Sequence, residues 1–314
     1  MNSFHALRMD FKCGVDATQR GLQARFSVAT LAASSSRSSA RMQSPAPRLP
    51  TLFIPHGGGP CFFMDPPPSA PHLWDRLAGY LRGIDASLGR RPRAVLVISA
   101  HWEAARPTVN SATQSPLLFD YTGFPEHTYR LHYPAAGSPT LATRVRELLG
   151  SAGIESDSDD TRGLDHGVFV PFLLVYPQAD VPIVQLSLQA GLDPAAHLAI
   201  GRALAPLRDE GVLIVGSGMS YHNLREFFSA GGTPVQAAER FDAALTAVVE
   251  QTQPAERDAG LIAWKQLPDA LAAHPRAEHL LPLMIAAGAA GADRGQRVYH
   301  DHLFGKALSA FQFG

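Results

Sequence analysis

Cysteine is scarce in this 314-residue chain, which contains only Cys13 and Cys61. Two thiols are too few for a disulfide framework or a cysteine-based zinc site, and they favour a reducing compartment, the cytoplasm. Long hydrophobic runs are also missing, since the longest apolar segment, residues 280–291, contains Pro282 and falls short of the roughly 18 apolar residues of a membrane span. The formal net charge of −1 gives no overall field that attracts nucleic acid or an anionic membrane. We therefore expect a protein that binds neither.

The sequence motifs of several common enzyme classes are absent. The glycines at residues 216–218 lack the G-x-G-x-x-G spacing of a dinucleotide-binding turn, and the chain has neither a P-loop nor the G-x-S-x-G turn of a serine esterase. These absences count against hydride transfer and against serine esterase chemistry.

The first 47 residues differ in composition from the rest of the chain. They contain five arginines against the two acidic residues Asp10 and Asp16, and a serine-rich patch at 34–39. This composition predicts a disordered leader over 1–47 and a folded catalytic domain over 48–314. An organelle transit peptide has such a composition, so targeting by the leader stays open. A wrongly assigned upstream start codon, with Met42 as the true start, is the interpretation we favour.

Apolar runs and helical patterns alternate along the rest of the chain. Short continuous apolar runs at 51–55, 94–100 and 212–218 are typical of strands that are buried on both faces. The alternation predicts a single α/β domain with a mostly parallel central sheet flanked by helices. We expect a further strand at 181–188, helices at 72–88, 140–149, 168–176 and 193–208, the last with Asp193 as N-cap, and a sheet completed by the segment 298–308.

Each of the first three strands leads into a histidine, namely His56, His101 and His222. Open α/β sheets bind their ligands beyond the carboxyl ends of the strands, so these three imidazoles are expected to meet at one edge of the sheet. Neutral imidazole is a common ligand of first-row metals, and three such ligands with a position left open are typical of a catalytic metal site. His166 lies instead in a glycine-flanked loop before a helix, where it suits proton transfer, and Asp165 beside it either orients the loop or caps the helix.

A longer set of motifs resembles a known family. The motifs are residues 54–60 (IPHGGGP), 99–102 (SAHW), 123–125 (GFP), 133–134 (YP), 164–167 (LDHG), 216–218 (GSG), 222–224 (HNL) and 278–283 (EHLLPL). Together they resemble the class III extradiol ring-cleavage dioxygenases, in the branch of the 4,5-DOPA dioxygenase-like proteins and within the superfamily of the protocatechuate 4,5-dioxygenase catalytic subunit. The resemblance extends from residue 52 to the carboxyl end.

The resemblance implies a role for individual residues. His56, His101 and His222 match the metal ligands, His166 matches the acid/base histidine, and His279 matches a residue of the substrate pocket. Tyr133 lies in a stretch that resembles the pocket wall, where its hydroxyl could contact the substrate. Many relatives have asparagine where this chain has Met219, which puts the polarity of the pocket in question.

The implied reaction uses Fe(II) and O2 to open the ring of a catechol, DOPA-like or related, beside its diol, and yields a muconic semialdehyde. The same three-histidine set suits Zn(II), so a zinc-dependent hydrolase is the alternative that the residues leave open. We expect a small aromatic diol and O2 as the partners of the protein, and an enzyme of this size is often a homo-oligomer. Trp102 and Phe124 fit either the wall of an aromatic pocket or the core.

Overall fold

The computed structural model describes residues 48–227 and 232–314. The leader predicted over 1–47 lies outside the described residues. Eight strands are present in the described ranges: β1 (Thr51–Pro55), β2 (Ala94–Ala104), β3 (Thr108–Asn110), β4 (Asp157–Asp159), β5 (Ile183–Gln189), β6 (Val212–Gly218), β7 (Gly295–Leu303) and β8 (Lys306–Phe313). The helices are α1 (Asp75–Ser87), α2 (Pro139–Ser151), α3 (His166–Val175), α4 (Pro194–Leu204), α5 (Pro206–Asp209), α6 (Thr233–Val249), α7 (Pro254–Ile262), α8 (Ala270–Ala273) and α9 (Leu281–Ala290).

The strands form one sheet in the order β4-β3-β5-β2-β6-β1-β8-β7. Its four central strands, β5, β2, β6 and β1, pair in parallel, and β8 adds antiparallel to β1 before pairing with β7. The predicted α/β class, with a mostly parallel sheet and flanking helices, is confirmed. Every residue of β1 and β6 is buried, which explains why these strands are continuous apolar runs rather than alternating ones.

The helix predicted over 193–208 is divided into two. The side chain of Asp193 accepts hydrogen bonds from the N–H groups of Ala195 and Ala196, so the predicted N-cap is confirmed. Pro206 has no N–H to donate to the carbonyl of Arg202, and α4 therefore ends before it and α5 begins with it. In the part of the chain that the structure describes, no helix has the length and apolarity needed to cross a membrane.

The carboxyl end of β6 packs directly against the segment that leads into α9. A Cβ atom placed on Gly218 would lie 2.1 Å from the carbonyl oxygen of His279, a distance that real Cβ atoms do not show. That same carbonyl accepts the N–H of Met219 at 3.0 Å. Gly218 also accepts the N–H of His56 through its own carbonyl at 3.1 Å. One glycine at the end of a central strand therefore fixes the backbone at two histidines.

We predict that Gly218→Ala destabilises the protein by about 1–3 kcal/mol, because the added methyl group meets a backbone carbonyl that cannot turn away. Gly83→Ala is the control, since Gly83 lies in α1 and a Cβ there has open space within 4 Å. It should leave stability unchanged or raise it slightly because alanine favours a helix. Urea denaturation measures both free energies of unfolding. Equal stabilities of the Gly218→Ala variant and the parent chain would contradict the close-packing argument.

Candidate metal centre

Three imidazoles converge at the carboxyl end of the central strands. His56 follows β1, His101 lies within β2, and His279 directly precedes Leu280 and α9. The Nε2 atom of His101 lies 3.3 Å from Nε2 of His56 and 3.3 Å from Nε2 of His279. The ligand atoms of all three residues lie within 4.8 Å of one another. The structure thus brings two of the histidines predicted at strand ends together, and adds the histidine that was predicted to line the substrate pocket.

The strand around His101 is irregular, and this places its ring at the cluster. The pairing of β2 with β5 shifts register between Ile98 and Glu103. Within this stretch the N–H of His101 donates to the hydroxyl oxygen of Ser99 at 3.2 Å. Such irregularities re-aim a side chain out of the regular alternation of a strand.

The spacing and charge state of the three imidazoles fit a divalent transition metal. Two nitrogens bound at about 2.0–2.1 Å to one tetrahedral ion lie about 3.3 Å apart, which agrees with both measured distances. Burial, together with the neighbouring imidazoles, lowers the pKa of His56 and of His101 well below the usual value. Burial likewise lowers the pKa of His279 to about 3, although Glu278 acts in the opposite direction. The imidazoles are therefore neutral near pH 7, which is the form that binds metal.

His222 lies beside the three imidazoles and lines the same cavity. Its ring stacks on the ring of His279, with centroids 3.3 Å apart and an angle of 14° between the planes. Its ligand atom falls in a second group, formed with Glu278 and His279, rather than in the group of His56 and His101. The structure therefore places His222 next to the three-imidazole cluster, with His279 as the residue that the two groups share.

Glu278 serves both His279 and His222. Its Oε1 lies 3.0 Å from Nδ1 of His279 and 3.4 Å from Nδ1 of His222, and its Oε2 lies 3.2 Å from the guanidinium of Arg276. Burial alone would raise the pKa of this carboxyl, but the hydrogen bonds with the two histidines lower it far below the usual value. An Nδ1–H donated to Glu278 leaves the Nε2 lone pair of His279 directed at the cluster. Glu278 is part of the motif at 278–283, but no sequence pattern indicated its contacts with the two histidines.

His166 is the first residue of α3 and is held by a carboxylate that sequence reasoning missed. Oδ1 of Asp120 accepts both the backbone N–H of His166, at 3.0 Å, and its Nδ1–H, at 2.8 Å. The ring of His166 lies 4.0 Å from that of His101, centroid to centroid. Burial raises the pKa of Asp120, but the hydrogen bonds from His166 outweigh it and lower the pKa below its usual value. Nε2 of His166 therefore carries the lone pair that faces the cluster.

One signal in the sequence marked Asp120, since it is the only carboxylate between residues 106 and 124 and precedes the 123–125 motif. The other acidic residue near His166, Asp165, is fully buried, and its Oδ1 accepts the hydroxyl of Ser99 at 2.6 Å. Asp165 occupies the N-cap position of α3 but makes no capping hydrogen bond with its side chain. Its carboxylate instead ties the loop before α3 to β2, as the loop-orienting alternative predicts.

The histidines line one part of a cavity of about 550 Å³, a volume typical of a site for a small organic molecule. Apolar side chains form most of the remaining walls, among them Trp74, Phe124, Met219 and Phe227. Phe124 is thus a wall residue, whereas Trp102 lies buried in the core with the guanidinium of Arg162 5.0 Å from its ring.

Tyr133 is not brought to this cavity. Its side chain is 2% exposed, and its hydroxyl donates to the carbonyl of Tyr176 at 3.2 Å. It borders a separate depression together with His132. A further group of potential ligands, Glu239, His300 and His302, lies on α6 and β7 at the surface.

Comparison with known proteins identifies the family of this chain. Residues 50–311 match the family model described as the catalytic LigB subunit of aromatic ring-opening dioxygenase. The chain is 42% identical over 282 residues to Dioxygenase tasH of Hapsidospora irregularis, covering 84% of this chain and 85% of that protein. It is 40% identical over 264 residues to the 4,5-DOPA dioxygenase extradiol of Beta vulgaris, covering 82% and 93%. A crystal structure of an uncharacterized Escherichia coli protein superimposes with a TM-score of 0.69 at 30% identity, covering 85% of this chain and 100% of that one.

The family model spans most of the chain. The resemblance to the DOPA-like branch of the class III extradiol enzymes is therefore confirmed. The chain belongs to the LigB family and is an extradiol ring-cleavage dioxygenase, an enzyme that uses a metal and O2 to open an aromatic ring.

Proposed function

We propose that this enzyme holds Fe(II) through His56, His101 and His279 and cleaves a catechol beside its diol to give a muconic semialdehyde. The observation that carries the proposal is the position of His101 Nε2, 3.3 Å from Nε2 of each of the other two imidazoles. Three neutral donors suit both Fe(II) and Zn(II). Membership of a ring-opening dioxygenase family favours iron, and it favours the dioxygenase over the zinc hydrolase that the same donors would support.

The bound ion would supply a Lewis acid for the two catechol oxygens and the electrons that activate O2. The protein contributes three neutral ligands, so it leaves the charge of the ion to be compensated by the substrate. A catechol entering this cavity is thereby favoured in its deprotonated form. Both oxygen atoms of O2 end in the ring-opened product.

The third ligand is proposed as His279, and the distances support it over His222. Nε2 of His279 faces His101, while the His222 ring stacks on His279 and lies near Glu278. Stacking and a shared carboxylate would hold the His279 ring in one orientation. The ligand role that the family resemblance implies for His222 stays a prediction, and the variants below distinguish the two.

His166 is proposed as the proton-transfer group. Its Nδ1–H is donated to Asp120, so Nε2 is free to accept a proton at the side of the ring that faces His101. We propose that Nε2 takes a phenolic proton from the catechol and returns a proton as the ring opens. Asp120 positions the imidazole and fixes its tautomer, as carboxylates do for catalytic histidines in other enzymes.

Oxygen uptake with catechols tests the reaction directly. The protein, loaded with Fe(II) without O2 and then mixed with 4-methylcatechol in air-saturated buffer, should consume one O2 per catechol and form a yellow ring-opened product. Loading with Zn(II) instead should give no uptake because zinc has no redox chemistry. Equal uptake with zinc, or cleavage of esters in place of oxygen uptake, would overturn the proposal.

The ligand assignment predicts different behaviour for two neighbouring histidines. His56→Ala, His101→Ala and His279→Ala should each lose tight metal binding, since each removes one of three nitrogens at the ion. His222→Ala should retain the metal, with an affinity lowered about 10- to 100-fold as expected for an outer-shell partner. Metal content after dialysis and a competition titration with a chelator measure both effects. If His222→Ala loses the metal and His279→Ala keeps it, our third ligand is wrong.

The acid/base proposal predicts losses of turnover without loss of metal. His166→Ala should keep the metal and lose about 10²- to 10⁴-fold in kcat. Asp120→Asn should also keep the metal. Its effect on kcat should be larger than its effect on KM, because an uncharged amide does not replace the carboxylate that accepts the Nδ1–H of His166. Asp180→Asn is the matched control, since it removes a half-exposed carboxylate paired with Arg91 at the surface. A wild-type kcat in the Asp120→Asn variant would contradict the positioning role.

A further inference from the structure

The cavity has two chemically different parts. The imidazoles occupy one part, and the outer part is formed by apolar side chains, including Trp74, Met219, Phe227 and Phe304. The rings of Phe227 and Phe304 contact each other edge to face, with centroids 5.5 Å apart. Leu224, which is 64% exposed, lies at the rim of the same cavity. If the diol of a catechol lies at the imidazoles, its ring substituent faces these apolar walls.

Among the described residues that line this outer part, Asp65 has the one charged side chain, and its charge is negative. Asp65 contributes an exposed carboxylate to the cavity lining. The neighbouring cation, Lys306, is committed elsewhere, since its ammonium donates to the carbonyl of Phe304 at 3.1 Å and its side chain is almost fully buried.

We propose that the enzyme prefers catechols whose ring substituent carries no negative charge over catechols whose substituent carries a carboxylate. This inference rests on the proposed function. A carboxylate placed against Met219, Phe227 and Phe304 would lose hydration without gaining a partner, which is costly. It would also approach the like charge of Asp65. Both effects select against an anionic substituent, whereas an alkyl or aryl group gains from burial on the same walls.

This preference would distinguish the enzyme from relatives such as the 4,5-DOPA dioxygenase extradiol of Beta vulgaris, whose name refers to DOPA, a catechol that bears a carboxylate. Met219 is 3% exposed and lines the cavity. Its thioether keeps this part of the wall apolar.

A matched pair of substrates tests the proposal. The acid 3-(3,4-dihydroxyphenyl)propanoate and its methyl ester have the same diol and nearly the same length, and they differ in one negative charge. With the Fe(II)-loaded enzyme, kcat/KM from oxygen uptake should be at least about tenfold higher for the ester. The dissociation constants, measured without O2 by calorimetry, should differ in the same direction. An acid that matches or exceeds the ester overturns this inference alone, whereas no uptake with either compound overturns the proposed function together with it.

A charge added at the rim provides the second test. Leu224→Arg should lower the ester-to-acid ratio by about twofold to fivefold relative to Leu224→Gln, the range expected for an exposed charge pair. The comparison between these two variants isolates charge because both replace the same exposed leucine by a longer polar side chain. The difference between them should shrink at high salt. An equal ratio in the two variants would show that the outer part of the cavity does not hold the substituent.

Discussion

The site depends on how the end of β6 fits between its neighbours. β6 pairs in parallel with β1 on one side and with β2 on the other, and these two strands lead to His56 and carry His101. The last residue of β6 is Gly218, and because it has no side chain the carbonyl of His279 can pack against its Cα. The carbonyl of Gly218 accepts the N–H of His56. Backbone contacts with this one residue thus position His56 and His279 beside the strand that carries His101.

The electrostatic arrangement follows from that geometry. Crowding and burial keep the central imidazoles uncharged, and the carboxylates stand at the outer nitrogens, Glu278 at His279 and Asp120 at His166. Each carboxylate fixes a tautomer and directs an Nε2 lone pair inward. The positive charge of a bound ion is therefore left for the substrate to compensate. In the outer part of the cavity, the apolar walls and the carboxylate of Asp65 disfavour a negatively charged substituent on the ring of the substrate.

Local sequence patterns predicted the strands that carry the site, because the composition of a strand depends on its own burial. The apolar runs located β1, β2 and β6 because buried parallel strands have a distinctive composition, although β2 continues past its predicted end at residue 100 and contains His101. The roles of His279 and Asp120 depend on contacts between distant segments, 178 and 46 residues from their partners, which periodicity cannot indicate. The prediction for Tyr133 rested on its neighbourhood in sequence, whereas its hydroxyl binds a core carbonyl. The single helix predicted over 193–208 overlooked Pro206, which divides α4 from α5.

The most direct measurement is the anomalous diffraction signal of iron in crystals loaded with Fe(II) without O2. The account predicts a single strong peak about 2.0–2.2 Å from Nε2 of His56, His101 and His279. Iron bound instead at the surface group of Glu239, His300 and His302 would contradict it. So would a peak coordinated by His222 and Glu278 that leaves the nitrogen of His101 out of bonding distance.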